Sequence, residues 1–136
     1  MQRRYHCPRC SGLLNPGSRV VLVIEGRQQR HLILLSPEPG NYALDHSDSL
    51  VLQPGLAYVL RCPLCHVDLT SPVKDRLVEI HALSADGSKT CVYFSRVFGE
   101  HATFFLSEDG VERYGKHSPD YEPVNFFGEG TLTRDD

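Results

Sequence analysis

Four of the five cysteines in the chain fall into two pairs of one spacing, Cys7-Pro8-Arg9-Cys10 and Cys62-Pro63-Leu64-Cys65. Two residues between cysteines let a tight turn present both sulfurs to one ion, and two such turns complete a tetrahedral set of thiolates. Zinc accepts that set with no geometric preference of its own. The pattern therefore predicts a structural four-cysteine zinc site formed by Cys7, Cys10, Cys62 and Cys65. Iron in the same cage would need the same ligands, but the long segment between the pairs carries no rubredoxin-like sequence. A thiol–disulfide centre wants a βαβ setting around its C-x-x-C, and both pairs here sit among strand-like residues. Cys62 to His66 also spells the c-type haem attachment pattern, which would leave the first pair unexplained.

Other reactive side chains are scattered. The seven histidines form no H-x-x-x-H pair. His6 and His66 adjoin the cysteines and read as neighbours of the site, with four thiolates already present. Glu100-His101 and Tyr114-Gly115-Lys116-His117 are candidates for a pocket at one end of the chain's second half. Cys91, the fifth cysteine, lies in a strand-like run (Lys89-Thr90-Cys91-Val92-Tyr93), where a cysteine is more often a small buried hydrophobe than a nucleophile. A redox enzyme using Cys91 is the second alternative for function.

The elements that must position these groups are β-strands. Turn clusters at Asn15-Pro16-Gly17, Ser36 to Asn41 and Gln53-Pro54-Gly55 combine φ-locked proline with φ-permissive glycine. Between them lie short β-branched and aromatic runs at 20–24, 32–35 and 56–60, with shorter ones at 42–44 and 50–52. A polar loop at 25–30 joins the first two as a hairpin. After the second cysteine pair, 77–83, 90–98, 102–106 and 111–114 read as a meander. Alternation puts Val78, Ile80 and Ala82 on one face, and Val92, Phe94 and Phe98 on the facing side of the next strand. Cys91, His81 and Tyr93 then share the opposite face. Setting the two apolar faces together predicts a three-residue loop at 86–88, with Gly87 or Ser88 in the left-handed region. Ser71-Pro72 can cap a short turn at 72–76, and no long helix is expected. Tyr93, Phe94, Phe98, Phe104 and Phe105 read as core.

The chain has 136 residues, 40% hydrophobic and 23% charged, so the expectation is a single zinc-stabilised β domain over 1–117. The Pro- and acid-rich remainder, 118–136, reads as an arm or tail carrying Tyr121, Phe126 and Phe127. No run approaches the ~18 apolar residues of a membrane helix, and no apolar stretch follows the N-terminal charges. With paired cysteines that suit a reducing compartment, the expected location is cytoplasmic. The net charge of −3 conceals an asymmetry: Arg3, Arg4, Arg9, Arg19, Arg27 and Arg30 face a single acid, Glu25, in the first 36 residues. That arginine set is the candidate binding surface for an acidic partner or for nucleic acid, although a sequence pI near 6.1 argues against contact with nucleic acid over most of the surface.

The two knuckles, their separation and the strand leading into each resemble the β-tent zinc proteins, which include the Yippee-type proteins and the B-type methionine sulfoxide reductases. A plain zinc ribbon with a long insertion matches the spacing equally. The β-tent resemblance implies two small sheets meeting at the metal, with a ligand surface on the larger sheet. The reductases carry a nucleophilic cysteine on a strand after the second zinc pair, and Cys91 falls in a comparable place. Their Arg-Tyr-Cys-Ile-Asn-Ser context and pocket tryptophan are both missing here. The reading that follows is a zinc-stabilised binding or adaptor module for a protein partner, with a nucleic-acid-associated zinc ribbon as the first alternative.

Overall fold

The computed structural model describes residues 3–25, 30–38, 40–47, 49–84, 86–107 and 110–121. Among these residues nine strands form: β1 (Arg4–His6), β2 (Val20–Glu25), β3 (Arg30–Leu35), β4 (Leu44–His46), β5 (Val59–Arg61), β6 (Leu77–Leu83), β7 (Lys89–Ser95), β8 (Thr103–Ser107) and β9 (Gly110–Tyr114). They make two antiparallel sheets, one of five strands in the order β1-β6-β7-β8-β9 and one of four in the order β4-β3-β2-β5. A short 3-10 helix, Ser118–Tyr121, follows β9. No α-helix occurs among the described residues, and none is long and apolar enough to cross a membrane. The fold class expected from the alternation is therefore the one observed.

Period-two burial drives the arrangement. Val20, Leu22 and Ile24 of β2 are buried while Val21, Val23 and Glu25 are only partly so. Val78, Ile80 and Ala82 of β6 do the same for the larger sheet. These two inner faces pack on each other through a core that also takes in Tyr5, Leu14, Ile33, Leu60, Leu69, Val92 and Phe105. A second, smaller core of Leu77, Tyr93, Ala102 and Phe104 covers the outer face of the five-stranded sheet. Of the aromatics expected in the core, Tyr93, Phe104 and Phe105 are buried, while Phe94 and Phe98 are half-buried.

The meander register differs from expectation in one detail. Val78 pairs with Phe94 and Ile80 with Val92, and the Ser84 N–H donates to the Ser88 carbonyl at 3.0 Å. The loop thus closes one residue earlier than 86–88, which shifts the pairing by two positions while leaving the same faces inward. Gly87 takes the left-handed conformation, φ 87°. Of the shorter runs, 50–52 is not a strand, although Leu50 is buried, and only the end of 56–60 enters the smaller sheet. Its beginning does other work. Ala57 bridges Val97, and backbone bonds link Gly55 to Phe98, Phe98 to Leu56 and Tyr58 to Arg96 at 2.9–3.0 Å. This seam ties the two sheets together away from the cysteines.

At 72–76 the chain makes a turn, with the Val73 N–H donating to Ser71 Oγ at 3.0 Å. Phe126 and Phe127, and most of the 118–136 arm, lie outside the described residues.

Candidate metal centre and inter-sheet cavity

The chain crosses from one sheet to the other twice, and each crossing is a cysteine knuckle. β1, an edge strand of the five-stranded sheet, runs into Cys7. After the turn, Leu14 accepts a hydrogen bond from Val21 of β2, in the other sheet. β5, an edge strand of the four-stranded sheet, runs into Cys62, and after its turn Leu69 accepts from Glu79 of β6.

The two turns repeat one another bond for bond. The Cys7 N–H donates to Gly12 O at 3.0 Å and the Cys62 N–H to Val67 O at 3.1 Å. Ser11 N–H donates to Cys7 O and His66 N–H to Cys62 O, both at 2.9 Å. Arg9 and Cys10 amides point at Cys7 Sγ at 3.3 and 3.5 Å, and Leu64 and Cys65 amides point at Cys62 Sγ at the same distances. Gly12 N–H adds a bond to Cys10 Sγ at 3.3 Å. Isolated bridges His6↔Leu13 and Arg61↔Asp68 close the two loops in the same way. Amides aimed at sulfur are what a thiolate needs, because they stabilise its negative charge.

The four Sγ atoms all lie within 4.8 Å of one another. Cys7 and Cys65 sulfurs are 3.7 Å apart, and Cys10 and Cys62 sulfurs 3.8 Å. A regular tetrahedron of sulfurs around an ion with metal–sulfur bonds of about 2.3 Å has edges of about 3.8 Å. The donor set and its spacing therefore fit a metal of that size. Cys7 and Cys62 are buried, while Cys10 and Cys65 are exposed. Burial pushes the Cys7 thiol up to about 12 and also raises Cys62. Cys65 is held below its ordinary value, chiefly by the Val67 amide. Buried thiols of this kind become thiolates when a cation is present to replace the proton. The knuckles also touch: a Cβ on Gly12 would overlap the Leu64 side chain.

The six arginines of the N-terminal third do not act alike. Arg19 pairs with Asp45 at 2.6 Å and Arg30 with Glu25 at 3.0 Å. The Arg3 guanidinium stands over the Phe105 ring, 4.5 Å from its centroid. Arg4 and Arg9 are exposed, and Arg27 lies outside the described residues.

Sequence reasoning missed what lies between the sheets. A cavity of about 420 Å³ is walled by Ile24, Ile33 and Leu60 on one side and by Ile80, Val92 and Phe105 on the other, with Tyr58, Phe94 and Phe98 beside them. Polar groups gather at one end. Tyr42 stacks flat on His101, centroids 4.3 Å apart, and its hydroxyl bonds Thr103 Oγ1 at 2.7 Å and donates to Tyr114 O at 3.2 Å. His101 N–H donates to His117 Nδ1 at 2.9 Å. Burial lowers the His101 pKa, helped by Lys116 and His117, so the ring facing the cavity is held toward its neutral form. Of the two stretches, Glu100-His101 lines the cavity, while Tyr114 to His117 meets it through hydrogen bonds between His117 and His101 and from Tyr42, the lining partner that no local pattern announced, to the Tyr114 carbonyl. On the outer face of the larger sheet, Glu79, His81 and Cys91 converge. The shared face of His81 and Cys91 was legible in the alternation, but the convergence with Glu79 depends on register.

Comparison with protein-family models, with curated proteins and with solved structures gives no match.

Proposed function

We propose that this chain is a zinc-pinned binding module that receives an apolar side chain of a protein partner in the cavity between its sheets. The observation that carries the reading is the placement of that cavity. It lies between two sheets that the Cys7–Cys10 and Cys62–Cys65 knuckles join, so one ion would fix the separation of its walls.

Zinc is the ion proposed because four thiolates at tetrahedral spacing form a closed site with no position left for substrate, which is the structural type. The two-sheet arrangement meeting at the cysteines supports the β-tent resemblance over a plain ribbon. The cavity volume falls within the ~300–1,000 Å³ of ordinary ligand sites, and its few convergent polar groups at one end are the usual orienting feature. Nucleic acid is less well supported: Arg19, Arg30 and Arg3 are already engaged by Asp45, Glu25 and Phe105.

The test is selection of a displayed random-peptide library on zinc-loaded protein, repeated with Val92→Phe, which fills the cavity. Enriched peptides sharing an apolar anchor, lost on Val92→Phe at unchanged zinc content, support the reading. Peptides bound equally by both proteins, or none enriched, would overturn it. Metal analysis showing no zinc that is lost on Cys7→Ser or Cys62→Ser would overturn the zinc assignment.

A further inference from the structure

The outer face of the five-stranded sheet carries a second group of metal-type donors, distinct from the cysteine knuckles. Val78, Ile80, Ala82 and Val92 face the inter-sheet core, so alternation turns Glu79, His81, Cys91 and Tyr93 to the other side. His81 is the direct cross-strand partner of Cys91, and Glu79 that of Tyr93. The His81 Nε2 and Glu79 Oε2 atoms are 3.0 Å apart, and a ligand atom from each of Glu79, His81 and Cys91 lies within 4.8 Å of the other two. All three residues are half-buried, and Cys91 packs against the cluster of Leu77, Tyr93, Ala102 and Phe104.

An ordinary ion pair accounts for Glu79 and His81 alone. It does not account for a thiol brought to the same point by the neighbouring strand. Directly opposed residues in an antiparallel pair have Cβ atoms about 4.5–5.5 Å apart, so the sheet itself fixes the spacing of the nitrogen and sulfur donors. The charge also balances. A carboxylate and a thiolate together neutralise a dication, and the imidazole adds a neutral third ligand. Without a cation, burial and, after it, the Glu79 carboxylate raise the Cys91 thiol, with Lys89 and a hydrogen bond to Tyr93 acting in the other direction.

We propose that Glu79, His81 and Cys91 form a second metal site, for a divalent ion of the zinc class, with three protein ligands and a fourth position open to water. The mixed oxygen, nitrogen and sulfur set suits borderline ions and not magnesium or calcium. Three protein ligands with one open position is the arrangement that leaves a metal reactive, in contrast to the closed four-thiolate set. Binding exchanges the Cys91 thiol proton for the ion and releases that proton to solvent, with no change of oxidation state. His6 of β1 lies opposite His81, but it is not among the residues whose ligand atoms converge, so it is not counted as a ligand. The site does not rest on the cavity reading.

The experiment is native mass spectrometry of the full chain titrated with zinc, alongside Glu79→Gln and a His81→Asn/Cys91→Ser double variant. Two ions on the wild type and one on the double variant, with circular dichroism unchanged, is the expected result. Glu79→Gln keeps the side chain's size and should weaken the second ion at least tenfold, so the site remains testable even where the double variant fails to fold. A wild type that takes one ion only, lost on Cys7→Ser, would overturn this site and leave the cysteine knuckles standing. Two ions on every variant would place the second ion elsewhere and overturn it too.

Discussion

Ser11 and His66 occupy the same place in the two knuckles and share a backbone conformation that side chains rarely adopt, with φ of 61° and 67°. Each is the residue directly after the second cysteine, and each donates its N–H to the carbonyl of the first cysteine, at 2.9 Å. The left-handed turn is what sends the chain back alongside its incoming strand, so that His6 bridges Leu13 and Arg61 bridges Asp68. No other described non-glycine residue has positive φ.

The first prediction follows from that pairing. A non-glycine residue in the left-handed region costs roughly 1–2 kcal/mol. Ser11→Gly and His66→Gly should therefore raise the stability of the zinc-loaded protein by about 1 kcal/mol each. Ser11→Val and His66→Val should lower it by about as much or more, since β-branched residues fit this region worst. Urea unfolding midpoints decide it. Equal midpoints for glycine and valine variants would show that the turn conformation is not what these positions demand.

Metal removal should unfold the protein. Apparent zinc binding free energies of roughly 10–16 kcal/mol in small sites exceed or match the whole stability of a typical domain. Chelation should erase the β-sheet circular dichroism, and zinc should restore it. The pH dependence has a definite sign. A metal-bound thiolate has its effective folded-state pKa depressed below the ordinary thiol value, so its stabilisation is present above the unfolded pKa and lost as pH falls through the folded one. Stability at fixed free zinc should thus decline on acidification from about pH 9 downward. Zinc loading at pH 7 should release protons from the four thiols, because the ordinary thiol pKa of about 8.5 leaves them mostly protonated in the unfolded chain. Proton release measured in weak buffer checks this, and zinc uptake with no release would contradict it.

Asn15 carries more than its place in an Asn-Pro-Gly turn suggests. It is buried, its Oδ1 accepts from the Tyr5 N–H at 2.7 Å, and its Nδ2 donates to Arg3 O at 2.6 Å. Its amide acts as a stand-in for a neighbouring strand on the free edge of β1. Asn15→Ala would leave these two main-chain groups without their partner, at about 1–3 kcal/mol for each that stays buried and unsatisfied. We expect a loss of about 2–4 kcal/mol in the zinc-loaded protein, with zinc stoichiometry retained. A loss below about 1 kcal/mol would mean that water or a shifted backbone replaces the amide.

What the sequence made legible is what local spacing encodes. The four clustered cysteines needed only C-x-x-C twice, and β2, β3 and the β6 to β9 meander needed only alternation between turn residues. β1 is three residues long and pairs with β6, far along the chain, so nothing local specifies its partner. The hairpin register slipped by two positions because Asp86, Gly87 and Ser88 are all good turn formers, and the loop can close around any neighbouring trio. For the same reason His81 and Cys91 were placed on one face but not at one point, and Glu79 was not singled out at all. The cavity was illegible because it is a property of two sheets held apart, and its aromatic end depends on Tyr42 reaching His101 across an irregular segment.

That end of the cavity gives the last prediction. Gly115 has φ 96°, and a Cβ there would overlap the His101 carbonyl and crowd the Tyr42 hydroxyl. The first is backbone and the second belongs to the ring stacked on His101, so neither can yield without breaking the Tyr42 bonds to Thr103 and Tyr114. Gly115→Ala should cost roughly 2–4 kcal/mol, combining the left-handed penalty with the clash. Tyr42→Phe, which removes only the hydroxyl, should cost about 1 kcal/mol. The two should also differ in kind. Gly115→Ala displaces the stack and should change the binding of an apolar fluorescent dye to the cavity, whereas Tyr42→Phe keeps the ring on His101 and should leave dye binding close to wild type. Thermal unfolding together with dye titration separates these effects. Equal losses of stability and of dye binding in both variants would show that the hydroxyl, and not the position of the ring, shapes this end of the cavity.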